Sequence, residues 1–391
     1  MPGRPFPLLP LLFLAGVFYL NFVGRVVLAP LLPVIARDLG LGHAAAGSLF
    51  LFQSLGHAAG LMVSGFTSWR LGHRQTIVLS TLALGAALLA LAASTSPAAM
   101  GAVMPILGAA AGLYLPAAIA TLIGLTDEAQ WGRATAIHEL APGLGFVTAP
   151  LLAEALLRSL SWRGILAVFG VALLAVGGLY ARWGRGGHRR GERPRLKTML
   201  ALGLHPGLPQ IAVLFTLAVG AGFGVYMMLP LFLVAERGMD RPSANALLGL
   251  SRALSLPMIF GAGWLADRLG QRRALVAFQG ATGLLTAGIA LLAGPAPAAV
   301  AVVLHATASV CFFPACYPLI ATTVPPAQRN LAVSLVSLSG TLLGAGLTPA
   351  LIGAVAEAWS FAPALLLLGL LTLASPLLLL LDRPAPRTEV G

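Results

Sequence analysis

Twelve apolar segments of about 20 residues account for most of this chain and decide what it can fold into. About 20 apolar residues in a helix cross the hydrocarbon core of a bilayer. Of the 391 residues, 58% are apolar and 9% are charged, whereas soluble domains carry about 25% charged residues. The sequence therefore predicts an all-α integral membrane protein with twelve transmembrane helices. The predicted spans are Leu8–Leu28, Ala44–Ser64, Gln75–Ala93, Ala102–Leu122, Ala134–Leu156, Ile165–Tyr180, Gln210–Val234, Ala244–Trp264, Ala274–Ala293, Ala298–Ala321, Leu331–Val355 and Ala362–Leu381.

A basic, glycine-containing phrase occurs twice, each time between two apolar segments. One copy runs from Gly65 to Arg74 and the other from Gly263 to Arg272. Such a repeat indicates a duplicated six-helix unit, an arrangement typical of secondary transporters. We expect two pseudo-symmetric six-helix bundles around a central cavity. The predicted division is an N-terminal bundle at 1–182, a basic cytoplasmic linker at 183–206, and a C-terminal bundle with a short tail at 207–391.

The net charge of +12 predicts orientation rather than nucleic-acid binding. With the N-terminus in the cytoplasm, seventeen of the 24 basic residues fall on the cytoplasmic side. Cytoplasmic loops of membrane proteins are enriched in Lys and Arg. We therefore expect a multi-pass protein of the cytoplasmic (inner) membrane with both termini in the cytoplasm. The expected surroundings are a lipid bilayer, with no nucleic-acid partner, and the chain is expected to be a monomer.

The second copy of the repeated phrase resembles the loop motif of the major facilitator superfamily, and the resemblance extends over essentially the whole chain. That motif is Gly, three residues, Asp-Arg, one residue, Gly and a basic pair. Only Gln271 departs from it in the second copy, whereas Trp69 replaces the acidic residue in the first. The resemblance implies a conformational role for these loops, and tight turning with a topological role for the arginines is the alternative. The residues concerned are Gly65, Arg70, Gly72, Arg74, Gly263, Asp267, Arg268, Gly270 and Arg272.

The fifth segment contains a second phrase of this kind, Gly145 to Pro150. It resembles the Gly-x-x-x-Gly-Pro motif of proton-linked antiporters, with Ala149 in place of the second glycine. Small residues four apart let helices approach closely, and proline bends a helix. Helix packing and bending are therefore the simpler interpretation of Gly145 and Pro150, and the indication of antiport is weak.

Two arginines fall within predicted spans, Arg25 in the first and Arg252 in the eighth. A charged side chain at this depth normally faces a wet cavity or a partner, and a guanidinium binds carboxylates through two hydrogen bonds. The order Tyr19, Asn21, Arg25 resembles the first helix of anion carriers of the same superfamily. We predict that both arginines bind an anionic substrate. Snorkelling to the outer interface is the alternative for Arg25, and pairing with a buried acid is the alternative for Arg252. Further candidate substrate contacts are Asn21, Tyr19, Tyr114, Tyr226 and Tyr317.

A neighbouring acid and histidine early in the fifth segment, Glu139 and His138, are the main candidates for binding a coupled proton. Burial favours the protonated carboxyl group, and histidine titrates near neutral pH. A structural ion pair or a position in a cytoplasmic vestibule is the alternative. His57 and His305 are further candidates, although a hydrogen bond between helices is the simpler interpretation of each.

The sequence contains no Walker loop, no metal-spaced His and Cys set and no nucleophile with a base, so we expect neither an enzyme nor a cofactor or metal requirement. The leading prediction is an alternating-access transporter of a small organic anion, a mono- or dicarboxylate, coupled to protons. Proton-driven efflux of drugs or amphipathic compounds is the alternative. A membrane sensor without transport activity is a third class that the sequence leaves open.

Overall fold

The computed structural model describes residues 5–188, 190, 205, 207–325 and 328–380, and this part of the chain is helical. Eleven of its helices are long and apolar enough to cross a membrane, and a pair bent by 43° makes a twelfth if it is one span. In chain order they are α1 (Leu8–Leu39), α2 (His43–Leu71), α3 (His73–Ala92), α4 (Pro97–Leu125), α5 (Glu128–Leu157), α6 (Trp162–Trp183), α7 (Leu208–Ala235), α8 (Arg241–Ile259 and Gly261–Leu269), α9 (Gln271–Leu291), α10 (Pro295–Thr323), α11 (Leu331–Ala358) and α12 (Phe361–Leu379).

This architecture confirms the predicted fold class, but the first helix is longer than the sequence indicated. The predicted span ended at Leu28, whereas α1 ends at Leu39 and is 32 residues long. Arg25 therefore lies near the middle of α1 rather than near its outer end. Most of the predicted linker, residues 189, 191–204 and 206, lies outside the described residues, so the proposed division of the chain stays a prediction.

Three of the long helices are interrupted in the same way, each with a proline three positions after the break. α1 breaks at Val27 before Pro30, and α10 breaks at Cys311 before Pro314. α4 breaks at Leu113, three residues before Pro116. Proline lacks the N–H that would bond to the carbonyl four residues earlier, and its ring clashes with that carbonyl. Each of these helices is therefore two stacked segments with a bend between them.

Glycine-rich stretches give α7 and α11 a wider helical turn in their middles. Gly220–Gly224 in α7 and Gly340–Leu347 in α11 are π-helical. A π-helical turn leaves some backbone carbonyls without their usual helical donor, and such turns are frequent at functional sites. In α7 this turn lies close to the side chain of Arg252, as described below.

Helices α1–α6 pack against one another, as do α7–α12, and the two halves join along one end of the molecule. Extensive contacts between halves involve α2 with α11, α5 with α8, and the second segment of α1 with the second segment of α7. The first segments of α1 and α7 and the second segments of α4 and α10 make no such contacts across the halves in the described residues. We name the joined end the closed end. The other, where Gly72 and Gly270 form turns, is the open end.

Candidate functional site

A cleft between the two halves runs from the open end to the contacts of the closed end. Facing side chains on its two walls remain accessible, as Glu139 on α5 is 49% exposed and Tyr317 on α10 is 42% exposed. Glu139 belongs to the N-terminal half and Tyr317 to the C-terminal half, and extensive contacts between the halves are confined to the closed end. The cleft is therefore accessible from one side of the molecule only.

The closed end is held by polar bonds and by close backbone contacts. Arg241 of α8 donates to both carboxylate oxygens of Glu154 on α5, at 2.9 and 3.0 Å. Glu357 at the end of α11 accepts from the backbone N–H of Ala44 at 2.8 Å and so caps the start of α2. An acid at a helix N-terminus satisfies a free N–H and interacts favourably with the helix dipole. The sequence analysis did not identify either acid as a contact between halves.

Glycines allow α2 and α11 to approach each other at the closed end. Gly47 of α2 lies against the backbone carbonyl of Pro349, and Gly353 of α11 lies against that of His43, with no room for a Cβ atom at either glycine. Further from the closed end on the same two helices, Gly346 of α11 contacts the side chain of Ser54 of α2. The residues of these contacts are more than 290 positions apart, so the sequence pattern of one helix does not predict them.

Arg252 is the charged group of the C-terminal half at the point where the halves meet. It is 6% exposed and donates through Nη2 to the carbonyl of Gly222 in the π-helical turn of α7, at 2.7 Å. Its guanidinium carbon lies 5.0 Å from the ring centroids of both Phe146 and Tyr226. A cation over an aromatic face is stabilised by about 0.5–2 kcal/mol. Two rings and a carbonyl therefore fix the guanidinium, and Phe146 does so from the other half.

Arg25 is the corresponding charge of the N-terminal half. Its guanidinium carbon lies 5.9 Å from the ring of Phe22, and its Nε is buried without a hydrogen-bond partner in the described structure. Gln53 of α2 donates to the backbone carbonyl of Arg25 at 3.3 Å and positions this part of α1. His57 lies one turn after Gln53 in α2, and its ring interacts electrostatically with Arg25.

Each arginine is therefore accompanied by a buried histidine of its own half. His57 is 8% exposed with Nδ1 unpartnered, and His305 is 2% exposed with Nε2 unpartnered. The charge of Arg252 acts on His305, whose ring is directed to the backbone of Ala221 in the π-helical turn. Each of these imidazoles thus has a buried ring nitrogen without a hydrogen-bond partner in the described structure.

A chain of aromatic contacts joins the two arginines. Phe22, beside Arg25, meets Phe146 at a centroid distance of 4.8 Å, and Phe146 lies against Arg252. Both arginines thus lie at the apex of the cleft, where the halves first touch. Neither forms an ion pair within the described residues. Two positive charges, one from each half, thus contact the same pair of aromatic rings without an ion-pair partner in the described residues.

Two of the other predicted substrate contacts, Asn21 and Tyr114, form hydrogen bonds within the N-terminal half. Asn21 is 1% exposed and donates to Ser80 of α3 at 3.3 Å, within the N-terminal half. Tyr114 is completely buried and donates to the carbonyl of Leu14 at 2.8 Å. Both polar groups are thus engaged in packing within one half, and neither reaches the cleft.

Three tyrosines lie closer to the cleft. Tyr226 is buried against Arg252 and donates to the carbonyl of Phe146 at 3.3 Å, a bond between halves. The hydroxyl of Tyr19 is 2.7 Å from that of Thr148 on α5. Tyr317 is exposed on α10 and belongs to a cluster of rings with Phe215 and Phe313.

His138 and Glu139 form a polar pair on the wall of the cleft. His138 Nδ1 is 3.2 Å from Glu139 Oε1, and His138 Nε2 is 3.3 Å from the hydroxyl of Tyr114. The ring of Phe18 stacks on His138, with centroids 4.5 Å apart. His138 is 1% exposed, so the carboxylate of Glu139 provides its connection to water.

The repeated loops adopt matching turns at the open end. Gly72 and Gly270 have φ values of 88° and 83°, a region that side chains other than glycine avoid. Arg74 donates to the carbonyl of Ala181 at 2.8 Å and so binds the end of α6, whereas Arg268 packs on Trp264. Asp267 is exposed and makes no hydrogen bond within the described ranges.

The remaining residues of the two repeated phrases lie in or next to helices at the open end. Gly65 lies within α2, Arg70 packs against Trp69, and Gly263 has open space around its Cα. Arg272 is the second residue of α9 and interacts with another group of the protein.

The phrase in α5 brings α1 and α5 together. A Cβ atom at Gly145 would lie 2.6 Å from Cδ1 of Phe22, so glycine is needed for this approach. Pro150 lies within α5, one turn before Glu154. The phrase therefore supports the aromatic contact between Phe22 and Phe146. No group of three or more His, Cys, Asp or Glu side chains suited to a metal occurs among the described residues.

Comparison with known proteins gives one family. A model described as Major Facilitator Superfamily matches residues 14–311 and 298–391. Multidrug efflux protein YfmO of Bacillus subtilis (strain 168) is 26% identical over 268 residues, which cover 66% of this chain. The match spans 64% of that relative's own length.

Solved structures of low sequence identity share the fold. A bacterial homologue of the human lysosomal transporter Spinster, inward-facing and unoccupied, has a TM-score of 0.76 at 16% identity and covers 97% of this chain and 95% of its own. The structure of the nucleoside transporter NupG has a TM-score of 0.79 at 17% identity, and the match covers 96% of this chain and 99% of that transporter. The structure of a D-xylose–proton symporter has a TM-score of 0.78 at 14% identity, and the match covers 95% of this chain and 96% of the symporter.

Proposed function

Because this chain belongs to the major facilitator superfamily and is a multi-pass secondary transporter of a small molecule, we propose that its substrate is a small organic anion. The observation that carries the proposal is the pair Arg25 and Arg252, two cations at the apex of the cleft with no acid bound to either in the described structure. Burying an uncompensated charge is costly, and a bound carboxylate offsets that cost.

The two arginines have different parts in this proposal. Arg252 is fixed by Phe146, Tyr226 and Gly222, so its remaining N–H groups are held in place for a ligand. Arg25 has a buried Nε without a partner and less support from neighbouring groups. A carboxylate between them binds to groups from both halves, and so couples substrate binding to the relative position of the halves. The unpartnered nitrogens of His57 and His305 provide further polar contacts.

Transport by alternating access requires the closed end to separate while the open end closes. The bonds of Glu154 with Arg241 and of Glu357 with Ala44 break in that transition. With the predicted topology, the open end faces the cytoplasm. Entry of an anion against a negative-inside potential costs about 2.3 kcal/mol per charge per 100 mV. Coupling to protons supplies the driving force, with His138 and Glu139 as the coupling groups.

The test is uptake of radiolabelled mono- and dicarboxylates, such as pyruvate and succinate, into proteoliposomes with and without a pH gradient. Lysine retains the charge but not the paired donors of arginine, so Arg25→Lys and Arg252→Lys are each expected to reduce uptake by about 10-fold or more. Arg237→Lys is the matched control, because Arg237 also stacks on a ring, Phe232, and donates to backbone carbonyls, but outside the cleft. Undiminished uptake by both cleft variants contradicts the proposal.

Efflux of amphipathic compounds is the second candidate, favoured by the similarity to the multidrug efflux protein of Bacillus subtilis and by the aromatic side chains at the apex. Phe22, Phe146 and Phe223 are in contact there. A deletion strain distinguishes the two functions. Increased sensitivity to many drugs supports efflux, whereas poor growth on one organic acid supports anion uptake.

A further inference from the structure

The hydroxyl of Tyr114 determines how protons are arranged around His138. The phenol has one proton, and it is donated to the carbonyl of Leu14 at 2.8 Å. The same oxygen is 3.3 Å from Nε2 of His138. Because its proton is directed to Leu14, the phenol oxygen accepts from His138, and Nε2 carries a hydrogen.

The other ring nitrogen of His138 then has a conflict with Glu139. Nδ1 is 3.2 Å from Oε1 of the carboxylate. In a neutral imidazole that is protonated on Nε2, Nδ1 is an acceptor, and an ionised carboxylate has only acceptors. Two acceptors at this distance repel each other. The contact is favourable only when one further proton lies between them, as an imidazolium beside a carboxylate or as a carboxylic acid beside an imidazole.

We propose that His138 and Glu139 form a dyad that binds one proton and is the coupling site of the transporter. The inference rests on the proposed function and deepens its proton-coupled part. Tyr114 acts as a positioning residue, since it selects the tautomer that requires the additional proton. We assign this role to the dyad rather than to His57 or His305, because neither of those histidines has a carboxylate partner in the described residues.

The surroundings of the dyad permit both proton binding and exchange. From α1 the dyad is packed by Phe18 and from α4 by Tyr114, whose rings both stack on His138. In the C-terminal half, the phenol of Tyr317 on α10 is the titratable group that interacts electrostatically with Glu139. No arginine or lysine pairs with Glu139 in the described parts of the chain. Glu139 is half exposed, so the proton enters from the water of the cleft.

The position of the dyad explains how the proton affects the substrate. Glu139, Gly143 and Phe146 are spaced i, i+4 and i+7 and share one face of α5. Glu139 therefore lies about 10 Å from Phe146 along the helix, on the side of the open end. An anion moving between the open end and Arg252 passes this carboxylate. Protonation removes a like charge from that path, so proton binding favours anion binding at the apex.

The protonation of the dyad is measurable without any solute. Protein labelled with 15N-histidine is reconstituted in lipid nanodiscs and titrated by NMR, and infrared difference spectra record the C=O stretch of a protonated carboxyl group. In the unmodified protein we expect a single bound proton, seen on His138 or on Glu139. Glu139→Gln and His138→Gln are each expected to abolish this titration. A titration that persists in Glu139→Gln, or a dyad without the extra proton throughout, overturns the proposal.

Tyr114→Phe tests the positioning role, with Tyr180→Phe as the matched control. Without the phenol, neutral His138 is free to carry its hydrogen on Nδ1 and donate to ionised Glu139, so we expect proton affinity to fall by about tenfold. Tyr180 is buried in the same half, and its hydroxyl has no partner in the described structure. Its removal is expected to leave the titration unchanged. Equal titrations in the two tyrosine variants contradict the positioning role.

Proteoliposomes then distinguish the dyad from the anion site. With labelled succinate or pyruvate, Glu139→Gln is expected to retain exchange between internal and external solute but to lose acceleration by a pH gradient. Arg25→Lys is expected to lose both activities. If no carboxylate is transported while the dyad still titrates as described, the anion proposal fails and the proton site stands. Gradient-driven uptake that is normal in Glu139→Gln removes the dyad from coupling.

Discussion

Asn245 of α8 donates to Glu154 of α5 at 3.0 Å, on the same carboxylate that Arg241 binds at 2.9 and 3.0 Å. Asn245 also lies 3.4 Å from the carbonyl of Pro30 in α1. One carboxylate of the N-terminal half thus organises two side chains of the other half, and the amide extends the contact to a third helix. These bonds have to break together when the closed end opens.

Glu154→Gln is expected to weaken the closed end. The ion pair is partly exposed, with Arg241 35% and Glu154 14% accessible, so its contribution is about 0.2–1 kcal/mol. We expect the population in which the halves are separated at the closed end to rise about 1.4- to 5-fold. Spin labels at Ser159 and Ala235, measured by pulsed EPR, report the separation. Glu128→Gln, at the other end of α5, is the control.

Exchanging the two charges provides a second check on this pair. The double variant Glu154→Arg with Arg241→Glu is expected to recover part of the closed population that either single change loses, because the attraction is restored. Additive effects of the two changes would show that the ion pair does not stabilise the closed end.

Gly47→Leu is expected to prevent the closed end from forming. Gly47 lies directly against the backbone of Pro349, which cannot move aside as a flexible side chain would. We expect the same pair of spin labels to report separated halves, together with the loss of transport. Gly178→Leu is the matched control, because Gly178 is also in a helix and a Cβ atom added there would meet no other atom within 4 Å. Normal closure in Gly47→Leu would contradict the packing described for α2 and α11.

Gly72→Ala and Gly270→Ala are expected to lower thermal stability. Their φ values of 88° and 83° belong to a region that costs a residue with a Cβ atom about 1–3 kcal/mol. The melting temperature in detergent, followed by a thiol-reactive or tryptophan fluorescence assay, measures the effect. Gly178→Ala, within a helix, is expected to be neutral or slightly stabilising. Equal melting temperatures for all three variants would be inconsistent with these turns.

Asp240→Ala is expected to destabilise the start of α8 in a pH-dependent manner. Asp240 accepts from the N–H of Ser243 at 3.0 Å, and hydrogen bonding to Ser243 lowers the pKa of its carboxyl group. Because the folded pKa is depressed, this stabilisation is present at neutral pH and is lost as the pH falls through the lowered pKa. The difference in melting temperature from the unmodified protein should therefore disappear in acid.

Asp240→Ser separates the cap from the charge. Serine also caps helices but does not titrate, so its melting temperature should stay close to that of the unmodified protein at neutral pH and exceed it in acid. A constant difference for Asp240→Ala across the pH range would show that the charge has no role.

The sequence predicted twelve spans and placed both arginines within them, because both inferences depend on local composition. It placed Arg25 nearer the outer end of the first helix than the structure does. It ended the first span at Leu28, whereas α1 is interrupted at Val27 and continues to Leu39.

Asn21 and Tyr114 were predicted as substrate contacts, and their bonds to Ser80 and Leu14 within the N-terminal half did not follow from the sequence. Helices buried on several sides lack a clear polar face, so periodicity does not show which way such side chains point.

The contacts that define the site depend on pairs far apart in the chain. Glu154 and Arg241 are 87 residues apart, and the bond from Ala44 to Glu357 spans 313. The carbonyl of Gly222 is available to Arg252 only because α7 widens there into a π-helical turn. Neither kind of contact follows from the pattern of a single segment, so the pairing of the halves came from the structure alone.

The bond from Arg252 to Gly222 means that this arginine also completes the backbone of α7. A substitution such as alanine would leave a peptide oxygen inside the protein with nothing to solvate it, and the helix would readjust whether or not a solute ever binds. Loss of uptake in such a variant would therefore mix a folding defect with a recognition defect. Substitutions that still donate at that position, lysine first among them, are the ones that isolate recognition.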